Sequence, residues 1–435
     1  MIDPKEFHPI ENTQPVIHRA PWVVTGVSGG DIAGQGIVAD GALVLADGRI
    51  KAVGQYREIV KDFDGCYTRA HENVILAPAL INSHCHLELS YLDLADKTGH
   101  SRSYGGEPTA WIKHLLQEKA KFYGEKNSAV EGIILAEARQ ALQHMYAEGV
   151  AFVGDIGNSL ASRHIGYEQE TAIFFLLELL GMTAEAETKT FARLVEVFGY
   201  ESSAVACTAH APYSTTPDLI REIKKKADLH QHVFSIHTAE SMQEVEFLQT
   251  GSGDFREFLQ ERGAWDGSFA IPGKSSVQYL ESLGVLNGRT LCVHAVHVNR
   301  GEIETLAKTR AKVCLCPGSN RFLGVGKAPV TEFLDHGILP ALGTDSKASN
   351  PVLSMWREMC LLREDHPGLE PEMIFAMAAR GGAEAWGISD EMGTLEPGKT
   401  AHVISVGCNE PITSGEEVFE FMTTVGESVQ VEWLG

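Results

Sequence analysis

The sequence lacks the features typical of membrane proteins, secreted proteins, zinc ribbons and redox dithiol proteins. None of its apolar stretches reaches the ~18 residues of a membrane-spanning helix, and Met1 to Pro21 contain no apolar core typical of a secretory signal. No Cys-x-x-Cys pair is present, which argues against a zinc ribbon or a redox dithiol. We therefore expect a cytoplasmic protein without a membrane partner.

Positive charge is also scarce. The formal net charge is −22, and no block of lysine and arginine occurs, so a polyanionic partner such as a nucleic acid is not expected. Neither a Walker loop nor a Gly-x-Gly-x-x-Gly motif is found, so nothing predicts a phosphate-binding loop. These absences favour a small-molecule substrate, and they are compatible with a homodimer.

What the sequence does contain is typical of a globular enzyme. Its 435 residues are 44% hydrophobic and 22% charged, enough for one large α/β domain and a smaller second one. Both chain ends have the pattern of short strands. Residues Ala42 to Gly54 form two apolar runs joined by Asp47-Gly48, which predicts a β-hairpin, and Gly393 to Gly407 reads as a turn followed by a strand.

The central part of the chain alternates apolar strands with helical stretches, which is typical of a parallel α/β fold. Eight strands with helices between them fit a closed (β/α)8 barrel better than an open sheet. We thus predict a barrel over 78–385 and a small β-sandwich domain built from 1–77 and 386–435. The eight predicted strands are Ala79–His86, Val150–Ile156, Ala172–Leu179, Ala204–His210, Val233–His237, Thr290–His294, Lys312–Cys316 and Leu339–Asp345.

Polar side chains recur where these strands end, which is where such barrels place their catalytic groups. A random scatter of the 18 histidines would not produce this arrangement. The residues concerned are His84, His86, Asp155, Glu178, His210, His237, Glu240, His294 and Asp345.

The first strand ends in His84-Cys-His86. Side chains alternate along a strand, so the two imidazoles point the same way and Cys85 points to the opposite side. Two converging neutral imidazoles suit a transition metal. Taken alone, a polar pair at a strand end is an equally good interpretation.

Two further strand ends carry carboxylates. Imidazole and carboxyl in His237-Thr-Ala-Glu240 can both face the barrel mouth, and together they favour a ligand beside a general acid/base. Asp345 follows Gly-Thr at the last strand, where it could bind a metal or simply cap a helix.

Histidines at two other strand ends are less decisive. Of His294 and His297, we expect only His294 to enter the site, because three-residue spacing puts them on different faces of a strand. His210 precedes Ala-Pro, so it lies in an extended turn, where it can contact substrate or cap the turn.

The residues resemble the amidohydrolase superfamily, in particular its single-metal cytosine deaminase/chlorohydrolase-like branch. The resemblance spans nearly the whole chain, with two small departures, Ala79 for the usual Gly and His402 for the usual Asp. The matching pieces are Ala77 to His86, His210 to Tyr213, His237 to Glu240, His294, Cys316 to Asn320, Leu342 to Ser346 and Gly393 to Ala401.

This resemblance implies one divalent metal ion held by His84, His86, His237 and Asp345. Zinc is favoured, with iron or manganese as alternatives. A mononuclear site is implied because the fourth strand lacks the carboxylated lysine of two-metal members. It further implies Glu240, His294 and Asp345 as catalytic residues, with hydroxide supplied at the metal attacking the amine-bearing carbon and ammonia leaving.

The substrate is inferred from smaller matches. His86 to Ser90, Glu178 to Gly181 and Ser319 to Arg321 resemble the branch that deaminates aminodeoxyfutalosine, adenosine, S-adenosylhomocysteine and related 6-aminopurine nucleosides. Glu88, Trp111, Glu178 and His210 are then candidate substrate-binding residues; their alternatives are solvated, capping or core side chains.

Two alternatives stay open. The same site could serve a triazine chlorohydrolase or aminohydrolase, or a guanine- or cytosine-type deaminase. A non-catalytic scaffold of the same fold is a more remote one, because such a protein should have lost ligands that are all present here.

Overall fold

The computed structural model describes residues 14–27, 36–94, 104–123, 128–163, 165, 170–200 and 205–434. Ala204, which opens the fourth predicted strand, lies outside this part of the chain, as do 1–13 and 28–35 of the predicted N-terminal segment. No helix among the described residues is long and apolar enough to cross a membrane.

Both chain ends contribute to one sheet. Strands β1 (Val16–Val24), β2 (Ile37–Ala46), β3 (Arg49–Gln55), β4 (Tyr67–Ala70) and β5 (Val74–Pro78) come from the N-terminal end, and β14 (Val403–Gly407) and β15 (Gln430–Trp433) from the C-terminal end. The predicted hairpin is confirmed: β2 and β3 pair antiparallel around Asp47 and Gly48, which both have positive φ. Strand β14 pairs antiparallel with β5, so the two ends of the chain meet here.

Apolar side chains cover both faces of this sheet. Ile17 and Val44 pack with Ile59 from helix α1 (Tyr56–Asp62) on one face. Val23 and Leu43 belong to a separate cluster on the other. Alternation along each strand produces this division, because successive side chains point to opposite faces.

Two parallel sheets form the middle of the molecule. One contains β6 (Leu80–Cys85), β7 (Val150–Gly157), β8 (Ala172–Leu179) and β9 (Ala206–Ala209) in that order. The other contains β10 (Phe234–Thr238), β11 (Thr290–His294), β12 (Lys312–Leu315) and β13 (Ala341–Leu342), also in chain order. The predicted parallel α/β fold is confirmed, with a strand at each of the eight predicted places.

Helices connect these strands, as in βαβ units. The longer ones bury one apolar face against the sheets, and one large core cluster extends from the sheet of the chain ends through the parallel sheets to the C-terminal helices. The helices after α1 are α2 (Pro108–Tyr123), α3 (Ser128–Ala147), α4 (Ala184–Tyr200), α5 (Pro217–Leu229), α6 (Met242–Thr250), α7 (Asp254–Glu261), α8 (Ser276–Ser282), α9 (Arg300–Thr309), α10 (Pro317–Leu323), α11 (Val330–Asp335), α12 (Met355–Asp365), α13 (Pro371–Ala376), α14 (Gly382–Trp386) and α15 (Gly415–Met422).

The two parallel sheets touch at both of their edges. At one edge the Asp345 backbone N–H donates to the His84 carbonyl over 2.9 Å, and Cys85 forms a parallel bridge with Asp345. At the other edge the His237 N–H donates to the His210 carbonyl over 3.0 Å. Both contacts lie at the carboxyl ends of strands, so the strand-end residues of the two sheets share one region.

Candidate metal centre and catalytic site

Three imidazoles and one carboxylate converge at this region. His84, His86, His237 and Asp345 are buried, and one ligand atom from each lies within 4.8 Å of all the others. The His84 and His237 Nε2 atoms are 3.2 Å apart, and Asp345 Oδ1 lies 3.5 Å from His86 Nε2. Alternation of side chains along the strand explains why His84 and His86 point the same way, since it turns both away from buried Cys85.

The protonation states of these groups suit a cation. Burial first, and then the neighbouring imidazoles, lower the pKa of His237 to about 3 and that of His84 well below its usual value. Burial alone would raise the pKa of Asp345, but His86 and the other imidazoles hold it below its ordinary range. Neutral histidines beside an ionised carboxylate are the donor set that zinc and similar divalent ions take.

Hydrogen bonds outside the cluster orient two of these ligands. The His237 Nδ1–H donates to the His210 carbonyl over 2.9 Å, which leaves Nε2 as the lone-pair donor. Asp345 Oδ2 accepts from the hydroxyls of Ser319 and Ser349 over 2.6 and 2.8 Å. Only Oδ1 of this carboxylate therefore remains to face the histidines.

A second pair of groups lies beside the cluster. Glu240 Oε1 is 3.7 Å from His294 Nε2. Asn320 Oδ1 accepts from His294 Nδ1 over 2.9 Å, and Nε2 of the same ring is buried with no hydrogen-bond partner among the described residues. Burial raises the pKa of Glu240, even though nearby His294 opposes the rise. A carboxyl that protonates readily and an unpartnered imidazole nitrogen thus face the same space.

Several residues in this region adopt a backbone conformation that L-residues seldom use. His294 has φ of 70°, Asp345 of 59° and Ala239, next to Glu240, of 51°. Left-handed backbone at non-glycine residues is kept where the surroundings enforce it, commonly at functional sites.

Glu178, His210 and His237 form a second cluster that could in principle hold a cation. The His237 nitrogen that faces Glu178, Nδ1, already donates to the His210 carbonyl, so it offers no lone pair. His210 itself shares a 2.6 Å hydrogen bond between Nδ1 and Ser214 Oγ. This cluster fits a polar wall of the site better than a second metal centre.

The other candidate substrate residues have hydrogen-bond partners of their own. Glu88 Oε1 accepts from the Asn158 backbone N–H over 2.9 Å, and Oε2 accepts from the Ser159 backbone N–H over 3.0 Å. Glu178 Oε2 accepts from the Asn158 side chain over 2.7 Å. The Trp111 indole donates to the Ala348 carbonyl over 3.0 Å and packs, half-buried, in a small apolar cluster with Leu89 and Phe322.

Two other residues near the strand ends, His297 and Asp155, have structural partners. His297 Nε2 bonds the Val325 carbonyl over 2.7 Å, in agreement with the expectation that His297 stays out of the site. Asp155 is buried and accepts from the Leu87 N–H and the Ser162 hydroxyl, so it anchors the turn after His86.

Glu358, which supports the candidate ligands, could not be predicted from the sequence. The Glu358 carboxylate, on α12, accepts from the Gly318 N–H over 2.7 Å and from the Asn350 amide over 2.7 Å. Asn350 also donates to the Thr344 carbonyl. Glu358 thereby ties the start of α10, which carries Ser319, to the turn that carries Asp345. The motif around Ser319 was visible in the sequence, but a lone Glu inside a helix gave no signal.

Residues 75–427 match the amidohydrolase family, which is most of the chain. The chain belongs to this family. The 5-methylthioadenosine/S-adenosylhomocysteine deaminase of Pelotomaculum thermopropionicum is a relative, 27% identical over 86% of this chain and 82% of its own length.

Solved structures agree on the fold. The aminofutalosine deaminase of Helicobacter pylori, in complex with methylthio-coformycin, has a TM-score of 0.80 at 23% identity and covers 96% of this chain and 97% of its own. An adenosine deaminase from Xanthomonas campestris with bound zinc has a TM-score of 0.76 at 22% identity, covering 97% and 91%. The amidohydrolase resemblance is thus confirmed, and zinc is found in a protein of the same fold.

Proposed function

We propose that this chain is a metal-dependent hydrolytic deaminase of 6-aminopurine nucleosides of the aminodeoxyfutalosine, adenosine or S-adenosylhomocysteine type. The observation that carries the proposal is the convergence of His84, His86, His237 and Asp345 within 4.8 Å, next to the Glu240–His294 pair. The activities of the similar proteins supply the substrate class.

One divalent ion, with zinc favoured, fits the four ligands, because their Nε2 and Oδ1 atoms converge. In His237 and Asp345, supporting hydrogen bonds also occupy the opposite atom of the side chain. Such an ion lowers the pKa of water to ~7 and so supplies hydroxide at neutral pH.

The chain's own groups would then move the protons. Glu240, whose pKa is raised by burial, takes a proton from the attacking water and gives it to a ring nitrogen. His294 Nε2 accepts a hydrogen bond from the attacking oxygen, because Nδ1 is already committed to Asn320. Asp345 shares the water's proton through Oδ1, the oxygen that the two serines leave open. Water adds to the amine-bearing carbon. The proton of the added hydroxyl then passes through Asp345 Oδ1 to the amino group, which leaves as ammonia while the carbonyl forms.

Glu178 and His210 would form the polar wall that meets the ring, and burial lowers the pKa of His210 to about 4, so it is neutral. Glu88 and Trp111 would contact the sugar side of the substrate or the base.

We also propose that the two parallel sheets are halves of one closed (β/α)8 barrel over 78–385, joined at Asp345–His84 and His237–His210. The terminal sheet would belong to a small β-sandwich domain of 1–77 and 386–435.

Product analysis on a substrate panel tests this function. Protein of measured zinc content is incubated with adenosine-type nucleosides, guanine, cytosine and a chlorotriazine, and ammonia and chloride are both assayed. We expect ammonia from one or more 6-aminopurine nucleosides and loss of this turnover in His237→Ala. Chloride release, or ammonia only from guanine or cytosine, would overturn the nucleoside assignment.

A further inference from the structure

Glu244 is a buried carboxylate that belongs to neither the ligand set nor the proton-transfer pair. It lies in the first turn of α6 and is fully buried. Oε1 accepts from the Ala239 N–H over 2.8 Å, and Oε2 accepts from the Glu240 N–H over 2.9 Å. The Ser276 hydroxyl donates to Oε1 as well, over 2.5 Å.

This bonding departs from the usual start of a helix. Ser241 is the N-cap of α6 and accepts from the Glu244 N–H. In a capping box, the glutamate three residues later returns the bond to the N-cap backbone. Glu302 does so at the start of α9, where its carboxylate accepts from the N–H of the N-cap Asn299. Glu244 reaches further, to the two residues before its own N-cap.

The segment it holds is the one that carries Glu240. Ala239 has a φ of 51°, a conformation that needs outside support. On its other side, the Ala239 carbonyl accepts from the His297 N–H over 2.9 Å, so the segment is fixed against the turn that follows His294. The Glu244 carboxylate and the His297 N–H together set how far the Glu240 carboxyl lies from His294.

We propose that Glu244 is a positioning residue for the reaction: its two oxygens hold the backbone of Ala239 and Glu240 so that the Glu240 carboxyl meets the substrate. The proposal rests on the proposed deaminase function. Both oxygens must act as acceptors, because each faces a backbone N–H. The ionised carboxylate meets this need. An amide in its place would turn its own N–H toward one of the two backbone N–H groups, where no hydrogen bond can form.

The test is Glu244→Gln, which keeps the size of the side chain and removes one acceptor. We expect kcat per bound zinc to fall about 10- to 100-fold, as for a misplacement of ~1 Å, while KM and the zinc content per chain stay at wild-type values. Glu302→Gln is the matched control, because glutamine also serves in a capping box, and it should leave kcat unchanged. Should Glu244→Gln not fold, Glu244→Asp keeps the charge but is too short for both N–H groups, and the same kcat loss is expected.

Wild-type kcat in either Glu244 variant would overturn the proposal. So would a kcat loss that tracks lost zinc, which would mean that Glu244 supports the ligands, or an equal loss in Glu302→Gln, which would mean a general effect of helix starts. Failure of the proposed function is distinguishable, since wild-type protein would then release no ammonia from any nucleoside.

Discussion

At the scale of single residues, the site depends on which atom of each side chain is left free. His237 is fixed by its bond to the His210 carbonyl, and Asp345 by two serine hydroxyls. His294 is fixed by Asn320. In each case the orienting bond takes one polar atom and leaves the other facing the site, so the supporting residues matter as much as the ligands.

Glu240→Gln tests the proton-transfer role. The amide keeps the shape of the side chain but can neither accept nor release a proton, so we expect kcat to fall by ~100- to 10,000-fold. Zinc content should be unchanged, because Glu240 is outside the ligand set. Steady-state kinetics with metal analysis provide the measurement; a kcat within a factor of two of wild type would remove Glu240 from the mechanism.

The double variant Ser319→Ala/Ser349→Ala tests the support of Asp345. Loss of both hydroxyls frees Oδ2 and lets the carboxylate rotate, so zinc affinity should fall by ~10- to 100-fold, the usual cost of losing such partners. Competition with a chelator of known affinity measures this. Unchanged affinity would show that Asp345 is held by the backbone alone.

The convergence of the candidate residues could be predicted at this scale. Strand alternation predicts that His84 and His86 point the same way, and the strand ends indicated His237, His294 and Asp345. Glu244 and Glu358 could not be predicted, because a carboxylate within a helix usually faces solvent. Their roles depend on backbone N–H groups that turn toward them only after the loops have folded.

At the scale of elements, the short strand β13 must lie against β6 to bring Asp345 to His84. Gly343 lies at this contact: a Cβ built on it would come within 2.9 Å of the His84 N, O and Cβ atoms. The close approach of the two strands therefore requires glycine at 343.

Gly343→Ala should push β13 away from β6 and separate Asp345 from the histidines, so we expect loss of both zinc binding and activity. Gly368→Ala is the control, since a Cβ there meets nothing within 4 Å. Zinc per chain and thermal unfolding of both variants are measured. Full zinc occupancy in Gly343→Ala would contradict the account of this contact.

The strands themselves were the most predictable elements, because their apolar runs are bounded by turn signals. The periodicity of apolar residues could not predict which edges of the two parallel sheets meet. That depends on single contacts such as Asp345 N–H to the His84 carbonyl.

At the scale of the whole molecule, buried histidines make stability depend on pH. Burial lowers the pKa of His402 to about 4. Burial and then the neighbouring His71 lower that of His18, on the terminal sheet, to about 4 as well. Unfolded histidine has a pKa near 6.5, so between about pH 6.5 and 4 the unfolded chain binds more protons than the folded one.

The free energy of unfolding of zinc-free protein should therefore fall as pH is lowered from about 6.5 toward 4. His18→Asn/His402→Asn should lessen this decline, because neither site then takes up a proton on unfolding. Urea denaturation midpoints across this pH range provide the measurement. An equally steep decline in the double variant would show that other groups cause it.

The measurement that tests the central claim most directly is metal removal and return. The protein is stripped with a chelator, dialysed, and titrated with zinc while ammonia release from its best 6-aminopurine nucleoside is followed. We predict no turnover without metal, and activity that rises with zinc and levels off at about one ion per chain, as one cluster of four ligands requires. His237→Ala should regain no activity at that ratio. Full activity of the stripped protein, or a plateau at two ions per chain, would contradict a single catalytic metal held by His84, His86, His237 and Asp345.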